Sequence, residues 1–166
     1  FSALVALAEG GTVVLCGTSR DAERLKLAEE LGVQHVIDIE ACDPIQRVRE
    51  LTGGYGADVV VECAGVAPAM RLALDLVRKR GRYSQMGLPG EPVEIDFEKI
   101  AYNELQVSGG IGQRRPAWKR ALRLMEGGFI PSDKLITHHF ALSEWQRAFD
   151  MAEGQEGIKL MFMPQG

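Results

Sequence analysis

The sequence predicts an α/β protein built on a doubly wound parallel sheet, with a C-terminal segment of different pattern. Apolar, β-branched runs alternate with runs of helical periodicity through the first 112 residues. The run at 58–63, Asp-Val-Val-Val-Glu-Cys, is too apolar for a sheet with one wet face. Short glycine-containing turns separate the runs, as in consecutive βα units. Helices are therefore expected on both faces of the sheet.

Each predicted strand in this first part is followed by a predicted helix. The opening apolar run at 1–8 is helical but has no N-cap residue before it, so we expect its true start to lie upstream. Asp43 and Pro44 are a cap residue and a first-turn proline, and they open a helix that ends at Gly53. The other predicted elements are strands at 12–16, 35–39, 58–63, 82–86 and 105–108, and helices at 21–31, 68–79 and 96–102.

The alternation changes near residues 109–112, and we place a domain boundary there. Residues 1–112 form one predicted domain, and residues 113–166 form the C-terminal segment. This segment contains a predicted helix at 116–126, a strand at 135–137 and a strand at 158–163. Between the two strands, Ser143 and Gln146 have the spacing of a capping box, which predicts the start of a last helix.

Composition excludes several classes of protein. The net charge of −4 argues against a general nucleic-acid binder, which would carry a basic stripe. No apolar run approaches the roughly 20 residues needed to cross a bilayer, and no signal peptide is visible. The chain has three cysteines, Cys16, Cys42 and Cys63. An odd number argues against a disulfide framework, and their spacing is not that of zinc ligands. We expect reduced cysteines in a cytoplasmic protein, with no partner membrane or nucleic acid and no metal ligands in this chain.

The turn after the first strand predicts a nucleotide contact. In dinucleotide-binding sheets an acidic residue at the tip of the second strand holds the adenosine 2′-hydroxyl, whereas a nearby arginine accommodates a 2′-phosphate. In this chain the corresponding position, at the end of strand 12–16, is Gly17, and it is followed by Thr18, Ser19 and Arg20. The turn therefore favours NADP, although NAD stays a possible cofactor. The alternative is an ordinary strand-to-helix turn with a solvated arginine.

Three further segments carry a family resemblance. They are Gly-Ala-Asp-Val-Val-Val-Glu-Cys-Ala-Gly at 56–65, Gly-Arg-Tyr-Ser-Gln-Met-Gly-Leu at 81–88 and Leu-Ile-Thr-His-His-Phe at 135–140. In order and spacing they resemble the cofactor-binding domain and C-terminal tail of zinc-type medium-chain alcohol/polyol dehydrogenases, in particular the threonine and sorbitol dehydrogenase branch. The resemblance covers essentially the whole chain.

The resemblance implies that residues 1–112 are a nucleotide-binding (Rossmann) domain without its first strand. The glycine-rich loop and the zinc-bearing N-terminal region would likewise lie outside the chain, and residues 113–166 would return to the catalytic domain. In the strand order 3-2-1-4-5-6 the first strand is central. We therefore expect the chain alone to be inactive and not to form a stable isolated nucleotide-binding domain.

The resemblance also implies where the cofactor lies. The turn at 17–20 and the small residues after strand 58–63 would meet the adenosine and its ribose. The backbone after strand 82–86 would meet the nicotinamide amide, a glycine-containing turn would face the other side of the ring, and a lysine would reach the pyrophosphate. Beyond the turn at 17–20, the predicted cofactor-binding residues are Cys63, Ala64, Gly65, Met86, Gly87, Leu88, Gly110, Ile111 and Lys159. No residue of the chain is predicted to be catalytic.

The predicted function is that of the NAD(P)-binding part of a zinc-dependent oxidoreductase. It would transfer hydride between the nicotinamide cofactor and a secondary alcohol, polyol or hydroxy amino acid, with zinc ligands from outside this chain. A homo-oligomer is expected, joined at the edge strand 105–108. The alternatives are a zinc-free quinone or enone reductase of the same superfamily and a non-catalytic nucleotide-binding module. A methyltransferase of similar fold would need an acidic residue at position 17 to hold the ribose hydroxyls, and this chain has Gly17 there, which argues against that class.

Overall fold

A computed structural model describes residues 1–164 and contains eight α-helices and seven β-strands within that range. The helices are α1 (Ser2–Ala8), α2 (Ala22–Glu30), α3 (Pro44–Leu51), α4 (Ala67–Leu76), α5 (Glu98–Tyr102), α6 (Arg115–Glu126), α7 (Ser132–Leu135) and α8 (Trp145–Glu153). The strands are β1 (Val14–Gly17), β2 (His35–Asp38), β3 (Ala57–Glu62), β4 (Val77–Gln85), β5 (Gln106–Gly109), β6 (Ile136–Ala141) and β7 (Lys159–Met163).

The strands form three sheets, and all of their pairings are parallel. β1 pairs with β2, β3–β4–β5 form a three-stranded sheet, and β6 pairs with β7. The predicted α/β class with parallel strands is confirmed. Within residues 1–164, β1 pairs only with β2, and β3 pairs only with β4. The central strand implied between β1 and β3, and the domain boundary at residue 112, stay predictions.

Two of the sheets share one hydrophobic core. Ile37 of β2, Val48 of α3 and Leu76 of α4 are buried together, and residues of β1 and β3 pack against them. The sequence explains α3 directly. The carboxylate of Asp43 accepts hydrogen bonds from the backbone N–H groups of Ile45 at 2.8 Å and Gln46 at 3.3 Å. Asp43 therefore caps α3 as predicted.

A second core joins the two ends of the chain. Leu4 of α1 is buried with Ile130 and Leu135, and residues of α2 and α6 pack around them. The N-terminal helix therefore packs on the C-terminal segment. A third core lies between α4 and the sheet β3–β4–β5, where Leu74 and Tyr83 are buried.

Several predicted boundaries are wrong for physical reasons. The predicted helix at 68–79 ends at Leu76, because Val77 takes an extended conformation and begins β4. The apolar side chain of Val77 is buried in the strand, as it would be in a helix. The spacing of apolar residues therefore does not distinguish a helix from a strand at this position. The predicted capping box of Ser143 and Gln146 is also wrong. Instead, Glu144 accepts a hydrogen bond from the Ala141 N–H at 3.0 Å before α8.

Candidate functional site

Three neighbouring strands end at the same level of one sheet. In the parallel register, Glu62 of β3 is opposite Gln85 of β4, and Gln85 is opposite Gly109 of β5. The predicted cofactor-binding residues after these strands therefore lie in three adjacent turns at one carboxyl edge: Cys63, Ala64 and Gly65 after β3, Met86, Gly87 and Leu88 after β4, and Gly110 and Ile111 after β5. Ligands of open parallel sheets bind outside this edge.

The turns after β3 and β4 touch through two glycines. A β-carbon built on Gly87 would lie 2.6 Å from the α-carbon of Gly65, and one built on Gly65 would lie 2.8 Å from the backbone nitrogen of Leu88. Gly65 also has φ near +70°, a conformation that favours glycine. Both glycines are buried. Their lack of side chains thus lets the two turns pack on each other.

The buried carboxylate of Glu62 holds the turn after β3. Glu62 is 4% exposed. Its Oε1 accepts hydrogen bonds from the backbone N–H groups of Ala64 at 2.7 Å and Gly65 at 3.0 Å. Its backbone carbonyl accepts from the N–H groups of Met86 at 2.8 Å and Gly87 at 3.0 Å. One residue therefore binds the backbone of both turns.

A glutamine and a tyrosine complete this network. The Nε2 group of Gln85 donates to Oε2 of Glu62 and to the carbonyl of Gly87, the latter at 2.8 Å. The hydroxyl of Tyr83 donates to Oε1 of Gln85. Burial, together with the nearby Glu62 carboxylate, raises the pKa of Tyr83 to about 12. Its hydroxyl therefore stays protonated, and able to donate, across the physiological pH range.

Large apolar side chains are exposed around these turns. Met86 is 51% exposed, Leu88 70% and Ile111 84%. Exposed apolar side chains beside precisely placed backbone polar groups are typical of ligand-binding sites.

The turn after β1 is occupied by carboxylates of the chain itself. The Thr18 N–H and hydroxyl donate to Asp21 Oδ2 at 3.1 and 2.9 Å. The Ser19 hydroxyl donates to Asp38 Oδ2 at 2.6 Å, and the Ser19 N–H donates to Glu40 Oε2 at 2.9 Å. The hydrogen bond from Ser19, followed by that from the Glu40 N–H, holds the pKa of Asp38 below its usual range. Asp38 is therefore ionised at neutral pH.

The basic residues of this region face the C-terminal segment. The guanidinium of Arg20 donates to the carbonyl of Gly154 at 3.3 Å. Arg24 of α2 donates to the carbonyls of Gln155 at 2.9 Å and Gly157 at 2.8 Å. Lys159, at the start of β7, is exposed and follows this segment directly. Arg24 of α2 thus holds the backbone of the residues that precede Lys159. Gly17, at the end of β1, lies opposite Asp38.

The described residues do not fit a zinc site. Among residues 1–164, no group of three or more His, Cys, Asp or Glu side chains is placed to hold a metal ion. The three cysteines are unpaired thiols. No helix within the same range has both the length and the apolar character required to cross a membrane.

Sequence reasoning missed Asp38, Glu40, Gln85 and Tyr83. Asp38 is the last residue of β2, Glu40 lies in the turn after it, and parallel pairing brings Gly17 opposite Asp38. A search for acidic residues at the end of the neighbouring strand would have found them. For Gln85 and Tyr83 no comparable signal exists, since hydrogen bonding between side chains depends on rotamers that a pattern does not contain.

Comparison with known proteins identifies the class. The family model described as zinc-binding dehydrogenase matches residues 2–127. A sorbitol dehydrogenase of Halalkalibacterium halodurans is 42% identical over 164 residues, covering 98% of this chain and 48% of that protein. An erythritol/L-threitol dehydrogenase of Mycolicibacterium smegmatis is 39% identical over 145 residues, covering 86% and 40%. The chain belongs to the zinc-binding dehydrogenase family, as the resemblance predicted, and spans about half the length of these relatives.

Solved structures agree with this assignment. A zinc-binding dehydrogenase from Sinorhizobium meliloti, bound to NADP, has 30% identity and a TM-score of 0.83, with 98% of this chain and 48% of that chain covered. An alcohol dehydrogenase from Thermotoga maritima has 25% identity and a TM-score of 0.89, with 98% and 46% covered. The α/β fold of this chain is thus that of one half of such dehydrogenases.

Proposed function

We propose that this chain is the nicotinamide-dinucleotide-binding part of a zinc-dependent oxidoreductase. The supporting observation is the shared carboxyl edge of β3, β4 and β5, where two glycine turns are fixed by Glu62 and flanked by exposed apolar side chains. Backbone groups held in this way can orient a cofactor without moving when it binds. The cofactor supplies the redox chemistry, and the chain binds and orients it.

The whole protein is proposed to transfer hydride between this cofactor and a secondary alcohol, a polyol or a hydroxy amino acid. The names of the sorbitol, erythritol/threitol and threonine dehydrogenases among its relatives support that substrate class. Any zinc would be held by residues other than those described, so no step is assigned to it within this chain. The chain alone is proposed to be inactive, and the thiol state of its three cysteines is in keeping with a cytoplasmic protein.

The adenosine end is proposed to lie at the turn of residues 17–20. The absence of a carboxylate at Gly17 and the presence of Arg20 favour NADP, and the NADP-bound relative supports the same coenzyme. The structure adds an opposing argument, because Asp38 and Glu40 bring two carboxylates to Ser19 and a 2′-phosphate would meet like charge there. We therefore propose that NAD is preferred and that NADP binds more weakly.

Binding of NADH and NADPH to the intact protein, followed by cofactor fluorescence, tests the proposed function. Saturable binding of at least one is expected. Leu88→Asp should weaken it by introducing a charge at the apolar edge. Leu142→Asp changes an apolar side chain that is 58% exposed in a short 3₁₀ helix before α8 and should not weaken binding. Binding of neither cofactor by the wild-type protein would leave the non-catalytic module as the better account. Zinc content measured on the same sample separates the proposed enzyme from a zinc-free reductase.

A dimer is proposed through β5. All four residues of β5 are exposed, and within residues 1–164 the strand pairs only with β4. An exposed edge strand offers unpaired N–H and C=O groups to a second chain.

A further inference from the structure

We propose that Glu62 and Gln85 are positioning residues that hold the nicotinamide end of the site in register with the adenosine end. This inference rests on the proposed function, which assigns the turn after β3 to the adenosine side and the turn after β4 to the nicotinamide amide. The two side chains form a link between those turns in addition to the backbone hydrogen bonds that the Glu62 carbonyl accepts. They carry no catalytic role of their own.

The hydrogen bonds of the two carboxylate oxygens of Glu62 carry the inference. Oε1 accepts the shorter hydrogen bonds of the turn after β3, from the N–H groups of Ala64 at 2.7 Å and Gly65 at 3.0 Å, and the Gly65 N–H also reaches Oε2 at 3.2 Å. Oε2 accepts from Nε2 of Gln85, and the same Nε2 group donates to the carbonyl of Gly87 at 2.8 Å. The side chain of Gln85 therefore transmits the position of Glu62 to the turn after β4.

The hydrogen-bond partners of Gln85 allow only one orientation of its side-chain amide. The carboxylate of Glu62 and the carbonyl of Gly87 are both acceptors, so the amide nitrogen must face them. The amide oxygen then faces Tyr83, whose hydroxyl donates to it. The raised pKa of Tyr83, about 12, keeps that donor in place. A buried network in which every group has a partner fixes its members more tightly than isolated hydrogen bonds would.

The substitution Glu62→Gln separates the two halves of this network. A glutamine oxygen at Oε1 keeps the hydrogen bonds from Ala64 and Gly65, and only the longer contact of the Gly65 N–H with Oε2, at 3.2 Å, is lost. The new amide nitrogen at Oε2 faces the nitrogen of Gln85, so two donors oppose each other. Rotating Gln85 by half a turn relieves this clash but sets its oxygen against the carbonyl of Gly87. The variant thus removes the side-chain link to the turn after β4, which keeps its backbone hydrogen bonds to the Glu62 carbonyl, and leaves the turn after β3 held.

The experiment compares two ligands on the intact protein. NADH has the nicotinamide ring, whereas ADP-ribose has the adenosine, pyrophosphate and ribose without it. Glu62→Gln is expected to weaken NADH by about tenfold, the effect of one lost buried hydrogen bond, and to leave the affinity for ADP-ribose unchanged. Gln85→Met removes the same link with a side chain of similar length and should give the same split. Ser108→Ala is the matched control, because its hydroxyl donates only to the backbone carbonyl of Tyr83, at 3.5 Å, and not to the side chains of Glu62, Gln85 or Tyr83.

The outcomes are distinguishable. A loss confined to NADH in both variants supports the inference. An equal loss for NADH and ADP-ribose would mean that Glu62 and Gln85 only stabilise the fold, and unchanged NADH binding would mean that the turn after β4 needs no such link. Either result overturns the inference while the proposed function stands. If the wild-type protein binds neither ligand, the proposed function itself fails.

Discussion

Gly87 packs against Gly65 so closely that a β-carbon on Gly87 would lie 2.6 Å from the α-carbon of Gly65. The atoms opposing it are backbone atoms of the neighbouring turn and the Glu62 carboxylate, at 2.8 Å. The carboxylate is the end of a side chain, but it is buried and held by hydrogen bonds from Ala64, Gly65 and Gln85. The contact between the two turns is therefore specific to glycine at position 87.

Gly87→Ala should destabilise the protein by about 3 kcal/mol, the upper part of the range for inserting a carbon into a packed region. Urea unfolding of the intact protein measures this change. Gly110→Ala is the matched control, because a β-carbon there meets nothing within 4 Å and the residue has no positive φ. A loss of stability as large for Gly110→Ala as for Gly87→Ala would contradict the packing argument.

Asp38→Asn combined with Glu40→Gln should shift coenzyme preference towards NADPH. Each substitution removes a negative charge that lies beside Ser19 and nearly keeps the shape of the side chain. The ratio of the dissociation constants for NADPH and NADH should fall by about tenfold, since charged hydrogen-bonding groups contribute on the order of 1.5–3 kcal/mol. Fluorescence titration with both coenzymes gives this ratio. Glu23→Gln, a charge removal on the exposed first turn of α2, should leave it nearly unchanged.

The hydrogen bonds of Asp38 predict an acid-sensitive turn. Because the folded-state pKa of Asp38 lies below its ordinary value of 3.8, its contribution to stability is present above that value. The contribution is lost as the pH falls below 3.8 and through the lower folded-state pKa. Ser19→Ala removes the main cause, so its free energy of unfolding should depend less steeply on pH in this window. Parallel curves for the variant and the wild-type protein would argue against this role of Ser19.

The three thiols should react at different rates. Burial, with a smaller effect of Cys42, raises the pKa of Cys16 to about 11, whereas Cys42 and Cys63 are exposed. The thiolate is the reactive form, and at pH 8 only about one Cys16 thiol in a thousand is ionised. Brief treatment with iodoacetamide should therefore modify Cys42 and Cys63 first, as measured by peptide mass spectrometry. All three should react alike in guanidinium, and equal rates in the native protein would contradict the burial of Cys16.

The exposed edge of β5 predicts a dimer of the intact protein in solution. Val107, 49% exposed on this strand, is a position where a charge disfavours pairing between edges. Light scattering should show a dimer for the wild-type protein and a shift towards monomer for Val107→Lys. Tyr55→Lys, at a position 80% exposed outside the strands, is the control for added charge. A monodisperse wild-type monomer would remove the dimer.

The sequence by itself determined the fold class, the family and the order of the elements other than α7. Strands such as β3 are rich in valine and follow glycine turns, and this local pattern predicts a strand without knowledge of the tertiary structure. The three motifs at 56–65, 81–88 and 135–140 were sufficient for the family, which is confirmed. The N-cap at Asp43 was equally local, because its hydrogen bonds reach only two and three residues ahead.

Only the tertiary structure decided what surrounds the cofactor turns. Asp38 reaches Ser19 because β1 and β2 pair in a parallel register, although the two residues are 19 positions apart. Gln85 links Glu62 to Gly87 because β3 and β4 pair in a parallel register that places Glu62 opposite Gln85. Such contacts depend on register and rotamer, which are set by packing across the whole sheet. A one-dimensional pattern contains the residues but not the distances between them.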